Sequence, residues 1–384
     1  GKIIKIIKPS SDRIDAPCKY FYDCGACQMQ HIKYEAQLRY KTNIVKDTIS
    51  KIGRISPDVV SDIIKSDSVF GYRNKMQYPV KKIRIHDPKT KINFKSEIKM
   101  GYYKKGSHDL VDIYECLILH PFLNKIAKVV RKELNKFIVS VYEEDNKKGL
   151  LRHILARVGV NTKESLLSFI INGNEFHGSK KIVSSVIKEL SATEKEFRLC
   201  GVFININTRH TNVILGEKTR NIWGVNSICE NLSGLKFSIS PGSFFQINPY
   251  QTVKLYNNVL ELAELSGNET VMDAYCGTGS ISLWVSNFVK EVYGIEENES
   301  AISDAKKNAK LNNIKNVFFK CGTVEKLLKM YKEAGLKFDL IILDPPRSGC
   351  SPEVLETVKQ MCPNKIIYIS CDPATLARDL KILG

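Results

Sequence analysis

The run Ile367-Tyr368-Ile369-Ser370-Cys371-Asp372-Pro373 ends an apolar stretch on a thiol and then a helix-opening proline. The positive end of a helix dipole favours the ionised form of a thiol beside it. Such a sulfur can add to carbon 6 of a pyrimidine. Carbon 5 then becomes enolate-like and can take a methyl group that the free ring would not attack; loss of the carbon 5 proton to a base expels the thiol. The plainer alternative is a buried cysteine behaving as a small hydrophobe. Cys276 also occupies a strand-end turn, so position alone does not choose between the two thiols. Its place within a glycine turn leaves Cys371 the better nucleophile.

That glycine turn is Asp273-Ala274-Tyr275-Cys276-Gly277-Thr278-Gly279, following an apolar strand pattern. Two glycines let the backbone turn tightly and approach a ligand at a helix start. Glu296, nineteen residues beyond Gly277 at the end of the next strand pattern, can accept both ribose hydroxyls of a nucleotide-like cofactor. A dinucleotide is one candidate. However, the third glycine of G-x-G-x-x-G would fall at Ser282 and an acid precedes the glycines, so S-adenosylmethionine is favoured. Asp344-Pro345-Pro346-Arg347 follows another apolar strand, where ligands of open α/β sheets bind. Amino-methylating enzymes carry an aromatic at the position of Arg347, which argues against amine methylation.

Cys18, Cys24 and Cys27, with Cys116 as fourth ligand, form a separate constellation. Closely spaced thiolates suit an iron-sulfur cluster or zinc; a single C-x2-C pair favours the cluster modestly, and unrelated buried thiols are the third option. Eleven cysteines without an export signal point to reduced thiols rather than disulfides.

These residues need scaffolds. The chain has 384 residues, room for two or three domains, with no apolar run of membrane-spanning length, so a cytoplasmic protein with no membrane association is expected. From Pro249 onward the pattern alternates strictly between strand and helix: helix 250–265, strands 270–274, 292–295, 317–320, 339–343 and 365–370, and a helix from about Pro373. That alternation predicts a doubly wound α/β sheet. Residues 70–240 read as short strands (154–160, 165–171, 202–207, 212–215) with helices near 121–137 and 180–190. A helix is expected over 31–52, and a strand over Gly1–Lys8. The net charge of +17 predicts a polyanionic partner, RNA or DNA. Between Gly71 and Lys105 eleven Lys and Arg face two acids, with Tyr72, Tyr78, Phe94, Tyr102 and Tyr103 interleaved. Cations with aromatic faces between them suit a phosphate backbone with unstacked bases, although some of those rings must be core.

Taken jointly, CKYFYDCGACQ (18–28), YRNKMQ (72–77), GSHDLVDIYEC (106–116), LRH (151–153), SPGSFFQINP (240–249), DAYCGTG (273–279), DPPRSG (344–349) and SCDP (370–373) resemble the RNA uracil-5-methyltransferases. The resemblance is to the branch carrying a [4Fe-4S] cluster and acting on 23S ribosomal RNA, and it runs over nearly the whole chain. It implies a cluster held by Cys18, Cys24, Cys27 and Cys116, cofactor contacts from Gln246, Tyr275, Glu296 and Asp344, and attack by Cys371. Gln246 rests on the resemblance alone. The implied fold is a Rossmann-like class I methyltransferase domain over 241–384, preceded by a mixed α+β iron-sulfur and RNA-binding domain over 16–240 and a remnant of a TRAM-like β-barrel over 1–15. In the family the barrel precedes the cysteines and a glutamate general base lies past the nucleophile. A chain trimmed at both ends is therefore expected, forming adducts but releasing product slowly. Transfer RNA is the alternative substrate, and no protein partner is expected. Two competing classes are an amino-methyltransferase and a non-catalytic iron-sulfur RNA-binding protein.

Overall fold

In the computed structural model, residues 4–86 and 94–384 are described. The side chains of Arg84, Phe94 and Lys95, and Lys89 and Lys91 entirely, lie outside the described part of the basic stretch. Helix α1 (Tyr34–Thr48) runs into a π-turn at Ile49–Gly53. Strand β1 (Lys75–His86) follows, and its alternation is clear. Met76, Tyr78 and Val80 are buried in the core while Lys75 and Gln77 point to the other face. With β2 (Phe94–Tyr103), β3 (Leu110–Asp112), β4 (Leu151–Gly159), β5 (Glu164–Ile171), β6 (Arg198–Ile206) and β7 (Lys218–Gly224) it forms a seven-stranded sheet in the order β3-β2-β1-β4-β5-β6-β7.

Only β5 and β6 pair in parallel, because α3 (Ser179–Thr193) supplies the crossover between them. That helix and α2 (Pro121–Lys136) cover one face, burying Leu123, Ile126, Val130, Val186 and Leu190 against Met76, Ile154 and Leu167. The opposite face presents Leu166 and Phe203 to a second core. There a hairpin, β8 (Ile228–Leu232) and β9 (Leu235–Ile239), meets α4 (Pro249–Ala263) and a parallel sheet.

The parallel sheet contains β10 (Thr270–Ala274), β11 (Glu291–Glu296), β12 (Val317–Cys321), β13 (Leu340–Leu343) and β14 (Lys365–Tyr368), ordered β12-β11-β10-β13-β14. Helices α5 (Ser280–Val285), α6 (Glu299–Leu311), α7 (Val324–Glu333), α8 (Pro352–Met361) and α9 (Pro373–Leu383) alternate with those strands. This is the Rossmann-like, doubly wound arrangement. The chain order reverses between β10 and β13, opening a crevice at their carboxyl ends.

Two expected strands are absent. Ile4–Lys8 form no strand, with Ile4 and Ile7 almost fully exposed, since no neighbouring strand offers them a ladder; Gly1–Ile3 lie outside the described residues. Asn212–Leu215 is a loop whose carbonyls are taken by a side chain instead. The Asn207 amide donates to Val213 O at 2.7 Å and Ile214 O at 2.9 Å.

Early residues also reach the parallel sheet. The π-turn lies so close to α9 that a Cβ on Gly53 would sit 3.2 Å from Ala377 O, and Lys254 pairs with Asp67 at 2.9 Å. Among the described residues no helix is long and apolar enough to cross a membrane.

Candidate active site

Strand β10 hands over to its loop through Tyr275, a non-glycine residue at φ 66°, followed by Gly277 at φ 55° and Gly279 at φ 79°. Gly279 is required twice over. Its φ lies in the left-handed region, and a Cβ there would stand 2.6 Å from the Phe319 ring. Glu296 leaves β11 with its carboxylate already held, accepting from Gly277 N at 3.1 Å and Asn298 N at 2.9 Å. Behind the loop, Asp273 is wholly buried. Ser282 Oγ donates to its Oδ2 at 2.5 Å, while Oδ1 has no partner. Burial, reinforced by the neighbouring Asp344, pushes the Asp273 carboxyl up to about 7, and burial pushes Asp344 up to about 6. Two acids reluctant to ionise beside each other suit a cationic ligand.

The second wall is the loop after β13. Its Pro345-Pro346-Arg347-Ser348 segment is fixed from behind by α9. Asp379, fully buried, accepts from Tyr368 Oη at 2.5 Å, Cys350 N at 2.8 Å and Arg378 Nε at 2.7 Å. Arg378 in turn donates to Ser348 O at 2.9 Å. At the other end of α9, Asp372 caps the helix by accepting from Ala374 N and Thr375 N, with Pro373 in the first turn. Cys371 immediately precedes that cap and is exposed. Cys276 is buried, and burial lifts its thiol far above the ordinary range. Of the two sulfurs that position left open, only Cys371 is exposed.

The third wall comes from the seven-stranded sheet and the loop after β9. Asn74 on the approach to β1 donates to Gln246 O at 3.0 Å, and Arg157 of β4 donates to Ser243 O. Ser243 Oγ donates to Asp304 Oδ2 at 2.8 Å, fastening the loop to α6. Together the walls enclose a cleft of about 1440 Å³ lined by Gln246, Tyr275, Glu296, Asp344 and Cys371. All five residues singled out in the sequence for cofactor binding or attack therefore face one cavity. Sequence reasoning missed the supporting groups Asn74, Arg157, Asp304 and Asp379. Their partners are distant in sequence, so no local pattern marks them.

The four cysteines also come together. Cys18, Cys24, Cys27 and Cys116 line one small cavity of about 10 Å³. Gly25 lies against β2, where a Cβ would be 2.9 Å from Tyr103 O, and Asn124 holds Cys116 through N at 2.9 Å and O at 3.0 Å. Burial raises the Cys24 and Cys27 thiols and pushes Cys116 up to about 11. Among the described residues, however, no group of three or more His, Cys, Asp or Glu has the geometry to hold a metal ion. Of the aromatics in the basic stretch, Tyr78 is core and packs edge-on against Tyr102 at 4.9 Å. Those two rings are unavailable to bases.

The family model for tRNA (uracil-5-)-methyltransferases matches residues 187–384. Relatives match over the full chain. An uncharacterized RNA methyltransferase of Halalkalibacterium halodurans is 40% identical over 383 residues, covering 100% of this chain and 80% of that protein. The chain belongs to the tRNA (uracil-5-)-methyltransferase family. Another uncharacterized RNA methyltransferase, from Caldanaerobacter subterraneus, is 41% identical over 384 residues, covering 100% of this chain and 81% of its own length. The tRNA (uracil-54, C5)-methyltransferase of Pyrococcus abyssi, solved with S-adenosyl-L-homocysteine, superposes with a TM-score of 0.75 at 25% identity, covering 99% of this chain and 81% of its own. The fold is accordingly that of a class I methyltransferase, and the activity that of an S-adenosylmethionine-dependent RNA methyltransferase.

Proposed function

We propose that this protein methylates carbon 5 of a uridine in RNA through a covalent adduct on Cys371, with 23S ribosomal RNA as substrate. The carrying observation is that Cys371 is the exposed thiol of the cleft, facing the same cavity as Asp344 and Glu296, while Cys276 is buried. S-adenosylmethionine supplies an electrophilic methyl group when bound. Glu296 would accept its ribose hydroxyls and Asp344 would supply a carboxyl group to the same cleft, with Asp273 buried behind it. Cys371 Sγ forms a bond to uracil carbon 6, and the ring electrons shift toward carbon 5 and oxygen 4. After carbon 5 is methylated its proton passes to a base, and the carbon–sulfur bond breaks to restore the double bond and the thiolate. Pro345 and Pro346 keep the loop beside the thiol stiff.

RNA containing 5-fluorouridine tests this, because a fluorine at carbon 5 cannot leave as a proton. Incubation with S-adenosylmethionine should give a protein–RNA band that survives denaturing electrophoresis, and Cys371→Ala should abolish it. Adduct formation by that variant would refute the assignment. A second substrate reading, transfer RNA, is favoured by the name of the Pyrococcus abyssi neighbour. Loss of 5-methyluridine from 23S rather than transfer RNA in a deletion strain separates the two.

We also infer that Cys18, Cys24, Cys27 and Cys116 hold a [4Fe-4S] cluster. A cubane takes its thiolates at four separate corners, unlike zinc, which draws them to one centre. The single C-x2-C pair and the four cysteines lining a shared cavity are what support this reading. The cluster would cross-link a loop-rich segment. Iron and sulfide in anaerobically purified protein, lost on Cys116→Ser, would support it, and stoichiometric zinc would overturn it.

A further inference from the structure

Lys75 of β1 and Arg157 of β4 stand directly opposite each other in the antiparallel register. Like charges so placed repel. Arg73 lies two residues before Lys75 and donates from Nε to its carbonyl at 3.0 Å. Arg157 is only 4% exposed, and its Nε has no partner. Neither Lys75 nor Arg157 forms an ion pair among the described residues. Burial together with Arg157 and Arg73 lowers the Lys75 ammonium to about 8, and burial lowers Arg157 to about 10; no carboxylate offsets either. A buried cation without an acid is costly to the free protein. Stability alone does not account for buried Arg157 facing half-buried Lys75.

Their position gives the reason. Asn74, between Arg73 and Lys75, carries the Gln246 carbonyl, and Arg157 carries the Ser243 carbonyl. Arg157 thus lies against the back of the loop whose Ser243, Phe244 and Gln246 line the cleft, with Lys75 opposite it on β1 and Arg73 two residues before Lys75. Arg73 and Lys75 are partly exposed, with Arg157 behind them.

We propose that Arg73, Lys75 and Arg157 form a preorganised seat for one phosphodiester of the RNA strand that delivers the target nucleotide to the cleft. The assignment rests on the RNA-methylating reading above but not on the covalent step. The bound oxyanion neutralises the repulsion between β1 and β4, so seating the strand also firms the base of the cofactor loop. The other anion that could use the seat is the carboxylate of the methyl donor, and the two sources separate experimentally.

The test uses the full chain carrying Cys371→Ala, so that adduct chemistry plays no part. Fluorescence anisotropy with a labelled tRNA transcript and a uridine-rich hairpin is measured over a salt series. Lys75→Gln should weaken binding about tenfold at low salt and reduce the slope of log affinity against log salt by ~0.7 to 0.9, the loss of one phosphate contact. Lys75→Arg should restore both. Affinity for S-adenosylhomocysteine should not change, and the melting temperature of Lys75→Gln should hold or rise as repulsion is relieved. An unchanged salt slope overturns the proposal, as does a fall in cofactor affinity in its place. If Lys75→Gln fails to fold, Arg73→Gln replaces it, with the same slope expected.

Discussion

The turn after β10 and the turn after β14 each carry a cysteine at the carboxyl end of a parallel strand, and the two sulfurs differ in exposure. Cys276 sits beneath a left-handed turn, buried near Asp273 and Glu296, whose charges add to the burial that keeps its thiol protonated. Cys371 stands one residue before a capped helix, open to the cleft. Strand-end position is common to both, so it does not make a nucleophile. What separates them is burial: one is sealed under its turn and the other is open to the cleft.

The sharpest way to break this contrast is to remove each sulfur in turn. Cys371→Ala should lower methylation by several orders of magnitude, as loss of a covalent nucleophile does, measured by tritium transfer from labelled S-adenosylmethionine. Next in size is Asp379→Asn, which weakens the clamp that α9 places on the proline loop. Misplacement of that wall by about 1 Å should cost on the order of a hundredfold in kcat, with S-adenosylhomocysteine affinity changed far less. Restoration by added cofactor would show that Asp379 serves binding alone.

A smaller effect is set by pH. Asp273 and Asp344 keep their protons to about 7 and about 6, against ~3.9 in an unfolded chain. Between those limits the unfolded chain has released protons that the folded protein retains, so the free protein should lose stability as pH rises from about 4 to about 7. A cofactor bearing ammonium and sulfonium charges favours the ionised acids, so its affinity should rise through the same window. Thermal melts and calorimetry across pH check both, and Asp273→Asn should flatten the stability trend. Smallest is Cys276→Ala, which should leave methylation within a few-fold and cost about 1 kcal/mol by denaturant unfolding.

The half of the molecule holding both turns was the more legible in sequence. Strict alternation of apolar strand and helix from Pro249 placed β10 at Thr270–Ala274 and the other strand ends within two residues. Ligands of such sheets bind at those ends, so Glu296, Asp344 and Cys371 could be singled out locally, while Tyr275 and Gln246 came from the resemblance. The seven-stranded sheet was harder. Its order depends on pairings between distant segments, and the loop at 212–215 is held by Asn207 rather than by a neighbouring strand. The same physics hid Asp379, which touches Tyr368 and Cys350 only after folding, and Arg157, whose task is to meet Ser243. Exposed Ile4 and Ile7 show the converse: an apolar run alone does not make a strand.

Helix α9 rests on the π-turn at Ile49–Gly53, where a Cβ on Gly53 would crowd Ala377 O. Cys371 precedes one tip of this rod, and the proline-loop fastening, Arg378 and Asp379, directly follows Ala377 at the contact with residues far upstream. Residues far upstream in the chain are thus part of the packing around the helix whose side chains hold the proline loop.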